Sequence, residues 1–173
     1  MVLYNKSGDI VLKKTYLYLI LILSFITLFF SYNTTDTNLY FPIKNKKYYI
    51  SSYFEYRTLG SYHFHNGIDI PLVEGTALYS LSDGIISYSG FLSGYGHTVI
   101  IKYNNGYKSL YGHCSPNYIV QSGQSVKAKE KVAYVGPKYL SNGKLNGFTT
   151  GQHLHFTLYY NDKLINPLNV EYK

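Results

Sequence analysis

At 173 residues the chain is long enough for one domain with a sizeable core. Its formal net charge of +7 suits an anionic partner such as an acidic wall polymer or a lipid headgroup, but the basic residues are scattered, and the lack of a compact Lys/Arg stripe argues against a nucleic-acid module. The single cysteine, Cys114, excludes an intramolecular disulfide framework and a cysteine-rich zinc knuckle.

The first element is an address. Lys6, Lys13 and Lys14 precede an uncharged apolar run from Thr15 to Tyr32. The run is apolar on every face, unlike a soluble surface helix, and its length sits between a signal core and a spanning helix. No small-x-small cleavage site follows in Asn33-Thr34-Thr35-Asp36, and no cysteine is there for lipid attachment. The reading is therefore an uncleaved signal anchor rather than a cleaved signal peptide. The lysines keep residues 1–14 in the cytoplasm. Residues 15–32 enter the membrane, 33–47 form a polar linker, and the body, 48–173, lies outside the cytoplasmic or inner membrane, in the cell envelope.

The body reads as strands and turns, with no amphipathic helix and no internal repeat. Ile68–Leu72 and Thr76–Leu81 are short apolar runs, and Asp83-Gly84 leads into Ile85–Tyr88. Thr98–Tyr103 and Tyr107–Tyr111 flank Asn104-Asn105-Gly106, a hairpin signal. Lys131–Val135 alternates and ends at Gly136-Pro137, and residues 137–152 form a long polar loop. The run His153-Leu154-His155-Phe156-Thr157-Leu158 alternates as a strand, and Asn161-Asp162-Lys163 makes a last turn. This is an all-β pattern, an antiparallel β sandwich or open barrel preceded by one N-terminal hydrophobic helix.

The histidines carry the chemistry. On a strand, His153 and His155 share a face, roughly 6.5 Å apart along it, while Leu154, Phe156 and Leu158 face the core. Two imidazoles pointing together into the open suit a metal ligand with a proton donor or acceptor beside it. His65 and Asp69 sit either side of Asn66-Gly67, a turn that can aim both side chains at one point. By spacing alone that pair reads first as a His–Asp hydrogen bond on a surface turn, and His63, two residues earlier, competes with His65. His113 ends a strand whose Tyr107, Ser109 and Tyr111 would share its face; His97 has less context. Cys114 follows His113 directly, but adjacent strand residues point to opposite faces, so Cys114 reads as a small buried hydrophobe rather than a nucleophile. The 22 tyrosines fit a sugar or peptide groove, and equally a compositional bias.

The ordered series His65-Asn66-Gly67-Ile68-Asp69, Gly75-Thr76-Ala77-Leu78-Tyr79, Asp83-Gly84-Ile85-Ile86, Gly94-Tyr95-Gly96-His97, Leu110-Tyr111-Gly112-His113, Gly123-Gln124-Ser125-Val126, Gly151-Gln152-His153-Leu154-His155-Phe156 and Asn166-Pro167 resembles the lysostaphin-type (LytM-like) zinc peptidases of cell walls. The resemblance spans about residues 50–168. It implies a zinc-dependent endopeptidase acting on the stem peptides or cross-links of peptidoglycan. His65, Asp69 and His155 match the family's Zn2+ ligands, and His113 and His153 match its two non-ligand active-site histidines; the family pattern, not spacing, selects His65 over His63. Three departures stand out. His97 occupies a usual Asn position, Cys114 an apolar one, and Asn142–Gly147 replaces a customary Gly-x-Thr-Gly loop, which bears on substrate preference. A catalytically silent wall-binding or amidase-activating module of the same fold is the alternative, and a zinc peptidase for a non-wall protein a third.

Overall fold

The computed structural model describes residues 15–26, 38–44, 47–57 and 63–173. Residues 15–26 are helical, about 18 Å of helix at 1.5 Å per residue. Among the described residues no helix is long and apolar enough to cross a membrane. The remainder of the apolar run, the N-terminal tail and residues 33–37 and 45–46 of the linker lie outside the described residues. The chain divides into two units at Thr35/Asp36, and every strand belongs to the second.

Among the described residues that second unit forms eleven strands: β1 (Tyr56–Arg57), β2 (His63–Phe64), β3 (Ile68–Pro71), β4 (Ala77–Tyr79), β5 (Gly84–Leu92), β6 (Gly96–Tyr103), β7 (Tyr107–Gly112), β8 (Ser125–Val126), β9 (Lys131–Tyr134), β10 (His153–Tyr160) and β11 (Lys163–Ile165). All pairings are antiparallel. The main sheet runs β11-β10-β7-β6-β5-β8, with β3 also paired to β10; β1–β2 and β4–β9 form two small ribbons. The all-β reading holds. Asn161 and Asp162 adopt φ of 48° and 58°, the left-handed pair of a tight hairpin turn that joins β10 to β11. Strand β5 outruns its sequence signal. The expected run is Ile85–Tyr88, yet the strand continues to Leu92, with a register shift between Ile86 and Tyr88 and Gly90 lying where any Cβ would meet the Tyr88 phenol.

One core joins the sheets. Ile68 and Ile70 from β3, Ile86, Val99 and Ile101 from β5 and β6, and Leu154, Phe156 and Leu158 from β10 pack with Leu78 and Val132 of the β4–β9 ribbon. Polar ties run through the same core. Tyr103 donates to or accepts from Ser109 at 2.7 Å, and the Tyr111 hydroxyl donates to the Tyr79 carbonyl at 2.9 Å, tying main sheet to ribbon. Part of the tyrosine excess thus serves as core side chains with a polar tip. Cys114 is buried, and burial pushes its thiol up to about 12, so it is inert, as the sequence indicates.

Phe156 is fully buried, stacked on Tyr111 at 5.8 Å and edge-on to Phe41 at 6.2 Å. Phe156→Ala should cost about 3–5 kcal/mol in urea unfolding; a loss below about 1 kcal/mol would show that the ring does not anchor the core.

Candidate metal centre

The site is set by the register of β10. His155 lies opposite Asp69 on β3 and opposite Gly112 on β7, so cross-strand pairing places the His155 and Asp69 side chains on one face. His65 enters from the segment before β3, held by its backbone N–H donating to the Glu55 carbonyl at 2.8 Å. Gly67 lets this segment cross β10 closely: a Cβ there would meet the Phe156 carbonyl and the His155 ring. His65 Nε2, Asp69 Oδ1 and His155 Nδ1 then lie 2.9–3.1 Å from one another. His63 is exposed on β2 and stands outside this cluster, and His97 lies apart, bonded through Nδ1 to the Tyr118 hydroxyl at 2.6 Å.

The far nitrogen of each imidazole fixes what the near one offers. His65 Nδ1–H donates to the Tyr53 carbonyl at 2.7 Å, which leaves Nε2 bare. His155 Nε2–H donates to Thr157 Oγ1 at 2.9 Å, which leaves Nδ1 bare. Burial pushes the Asp69 carboxyl up, but hydrogen bonding to His155 and His65 and the charges of His155 and His153 outweigh it and hold the group well below the usual carboxylate range. Burial lowers His155. With the far ring nitrogens donating, the cluster presents one carboxylate oxygen and two bare ring nitrogens, three lone pairs converging. Three acceptors this close repel unless a cation sits among them. Tetrahedral ligands about 2.0–2.2 Å from zinc stand roughly 3.3 Å apart, so the donor set fits such an ion with a shift of a few tenths of an ångström. Among the described residues this is the one His/Cys/Asp/Glu group close enough to hold a metal.

Two more imidazoles adjoin it. His153, next but one on β10, donates from Nδ1 to the Gly151 carbonyl at 2.9 Å and brings Nε2 to 3.6 Å from Asp69 Oδ1. His113 arrives differently from the sequence expectation. Tyr111 pairs with Phe156 on the core face and Gly112 with His155 on the cleft face. Continued alternation would send His113 into the core with Tyr111. Instead His113 takes φ of 55° and turns toward the cleft, its ring 4.6 Å from that of His153. Its Nδ1–H donates to the Asn146 carbonyl at 2.6 Å, and burial lowers it to about 4. The face carrying His153 and His155 is also not open. His155 is 5% exposed, Thr157 is fully buried, and Tyr95 covers His155 with ring centroids 5.3 Å apart.

These groups floor a cleft of about 630 Å3 that is also lined by Arg57, Phe64, Asn66, Tyr95, Phe148 and Gln152. Sequence reasoning missed three contributors. Arg57 donates from Nη2 to Asp69 Oδ2 at 2.8 Å. Asn66 donates to the Tyr95 hydroxyl. Asn146, fully buried, accepts from His97 N–H and donates to the Cys114 carbonyl, both at 2.9 Å. The one available signal was Arg57's standing as the only arginine in the chain.

The sequence matches the family described as Peptidase family M23 over residues 63–167. The DD-carboxypeptidase/endopeptidase Mpg of Neisseria meningitidis serogroup B is 35% identical over 124 residues, covering 70% of this chain and 26% of that protein. The murein hydrolase activator NlpD of Escherichia coli (strain K12) is 39% identical over 105 residues, covering 60% and 25%. The crystal structure of a zinc-containing peptidase from Vibrio cholerae superposes with a TM-score of 0.65 at 27% identity, covering 79% of this chain and 41% of that one. The chain spans about a quarter of the length of the curated relatives it matches.

His113 gives a pH signature. A histidine whose folded pKa lies below its unfolded value binds fewer protons when folded, so stability is present above about 6.5 and falls as pH drops toward 4. The metal-free protein should lose about 2–3 kcal/mol from His113 between pH 7 and pH 4.5, and His113→Gln should remove that part of the slope. Equal slopes for parent and variant in urea titrations would contradict the buried, neutral state.

Proposed function

We propose, from the premise that this chain belongs to peptidase family M23, that it is a zinc metalloendopeptidase cleaving peptide bonds in peptidoglycan. The observation that carries the reading is the convergence of three bare acceptor atoms, His65 Nε2, Asp69 Oδ1 and His155 Nδ1, beside two further imidazoles in one cleft. His65, Asp69 and His155 would hold the ion, leaving a position for water. Zinc bound there supplies polarisation of the scissile carbonyl and a lower pKa for that water. His113, neutral at pH 7, is a proton acceptor at the cleft. His153 Nε2, 3.6 Å from Asp69 Oδ1 and beside His113, is placed to pass a proton to the leaving amine. The net charge of +7 favours approach to an anionic wall, less so at high salt.

The 39% identity with NlpD favours one rival, a module that activates wall hydrolysis without cutting. Digestion of purified peptidoglycan, read by mass spectrometry with and without chelator, separates them. New chelator-sensitive peptide termini are expected; none, with zinc bound, would support the activator. His65→Ala and Asp69→Ala should lose zinc, whereas His113→Ala should keep it and lose turnover by about 100-fold or more. Full zinc occupancy in either ligand variant would overturn the assignment.

The apolar run Thr15–Tyr32 behind three lysines supports a location in the envelope, anchored by that segment with the body outside. The full chain should remain in the pellet after carbonate extraction of membranes; release as a shortened soluble form would mean a cleaved signal peptide.

A further inference from the structure

Arg57 divides the two oxygens of Asp69. Oδ1 faces His65 and His155, and Oδ2 takes the guanidinium at 2.8 Å, with both side chains largely buried at 18% and 13% exposed. Each candidate ligand is thus pinned on its far side by one partner: His65 by the Tyr53 carbonyl, His155 by Thr157 Oγ1, and Asp69 by Arg57 Nη2. The first two fix which nitrogen carries the lone pair. The third has no tautomer to fix. What it can fix is how many oxygens the carboxylate offers.

We propose that Arg57 is a positioning residue that keeps Asp69 a one-oxygen ligand, so that the position a second oxygen would take stays open for water. The proposal rests on the zinc reading above. Two simpler roles fit poorly. Stabilisation is a weak reason, because burying an ion pair costs desolvation that its attraction often fails to recover, and Arg57 Nε is buried with no hydrogen-bond partner among the described residues. Metal affinity is a worse one, because a fixed positive charge beside a cation site repels the cation. Arginine also suits the task where lysine would not. Its planar group donates along a fixed direction to one oxygen, and it stays charged next to a dication, where a lysine would be pressed to lose its proton.

Cobalt(II) substitution tests this without turnover, since four-coordinate cobalt absorbs visible light far more strongly than five-coordinate cobalt. The holoprotein should give an intense band. Arg57→Ala should weaken that band at least about two-fold as both Asp69 oxygens bind, should keep zinc affinity within about 10-fold in a chelator competition, and should lower kcat about 10–100-fold with little change in KM. Arg57→Lys should restore part of the band. Arg57→Met, which fills the stem's volume without a donor, replaces Ala should that variant fail to fold. A band superimposable on the parent's in Arg57→Ala or Arg57→Met would overturn the proposal. So would loss of metal from a folded variant, since the guanidinium would then be holding the carboxylate in place rather than selecting its mode. A parent that cuts no peptidoglycan but whose band responds to Arg57 would refute the hydrolytic reading and leave this one standing.

Discussion

The site depends on the register of β10 between β3 and β7. A slip of one residue would turn His153 and His155 into the core and Leu154 and Phe156 into the cleft, because side chains alternate with a period of two. What resists the slip is apolar burial. Leu154, Phe156 and Leu158 are all fully buried, and each such side chain is worth roughly 1.5–3 kcal/mol against exposure. The same alternation therefore does two jobs: the odd positions bring donor atoms to the cleft and the even positions hold them there. Asp69 inherits its place from this pairing, lying directly opposite His155.

Within that frame, the cluster is electrostatically incomplete by itself. Three acceptors 2.9–3.1 Å apart, with the two imidazole protons drawn away to the Tyr53 carbonyl and Thr157, form a local repulsion that the core must withstand. Buried polar groups normally end with partners; here the fold withholds partners on purpose from three atoms that face one point. Gly67 shows how tight the enforcement is, since even a methyl group there would strike β10. Tyr95 lies against His155 at the side of the cleft, and His65 and His155 are buried, so the cluster sits in surroundings drier than bulk solvent, where charges interact more strongly.

Much of this was legible in the sequence, unevenly. The alternation of His153–Leu158 gave the strand, its faces and the pairing of two histidines, and Asn104-Asn105-Gly106 gave the β6–β7 hairpin, because both signals are local. The ordered motif series separated His65 from His63, which spacing could not. Three features were hidden for physical reasons. His113 reaches the cleft through one residue's left-handed backbone, φ 55°, a conformation that a non-glycine residue does not advertise. Arg57 matters because β1 and β3 meet in space. Strand β5 ran on past Ser89-Gly90 because Gly90 there makes room for a ring rather than a turn. The apolar segment stays where the sequence left it, as residues 27–32 lie outside the described residues.

Asn146 has a consequence for how such a domain can change over generations. Its side chain clamps His97 N–H and the Cys114 carbonyl, its carbonyl receives His113, and its own N–H donates to the Lys138 carbonyl at 2.9 Å. Beyond this anchor the loop closes on itself, through Leu140 N–H to the Lys144 carbonyl, Gly143 N–H to the Leu140 carbonyl, and Lys144 N–H to Asn142 Oδ1. The tip and the floor of the cleft thus share one mechanical joint. Residues from Tyr139 to Leu145 can be exchanged, lengthened or shortened by drift while the Asn146 carbonyl still receives His113, so the tip can vary without disturbing the bearing of that ring.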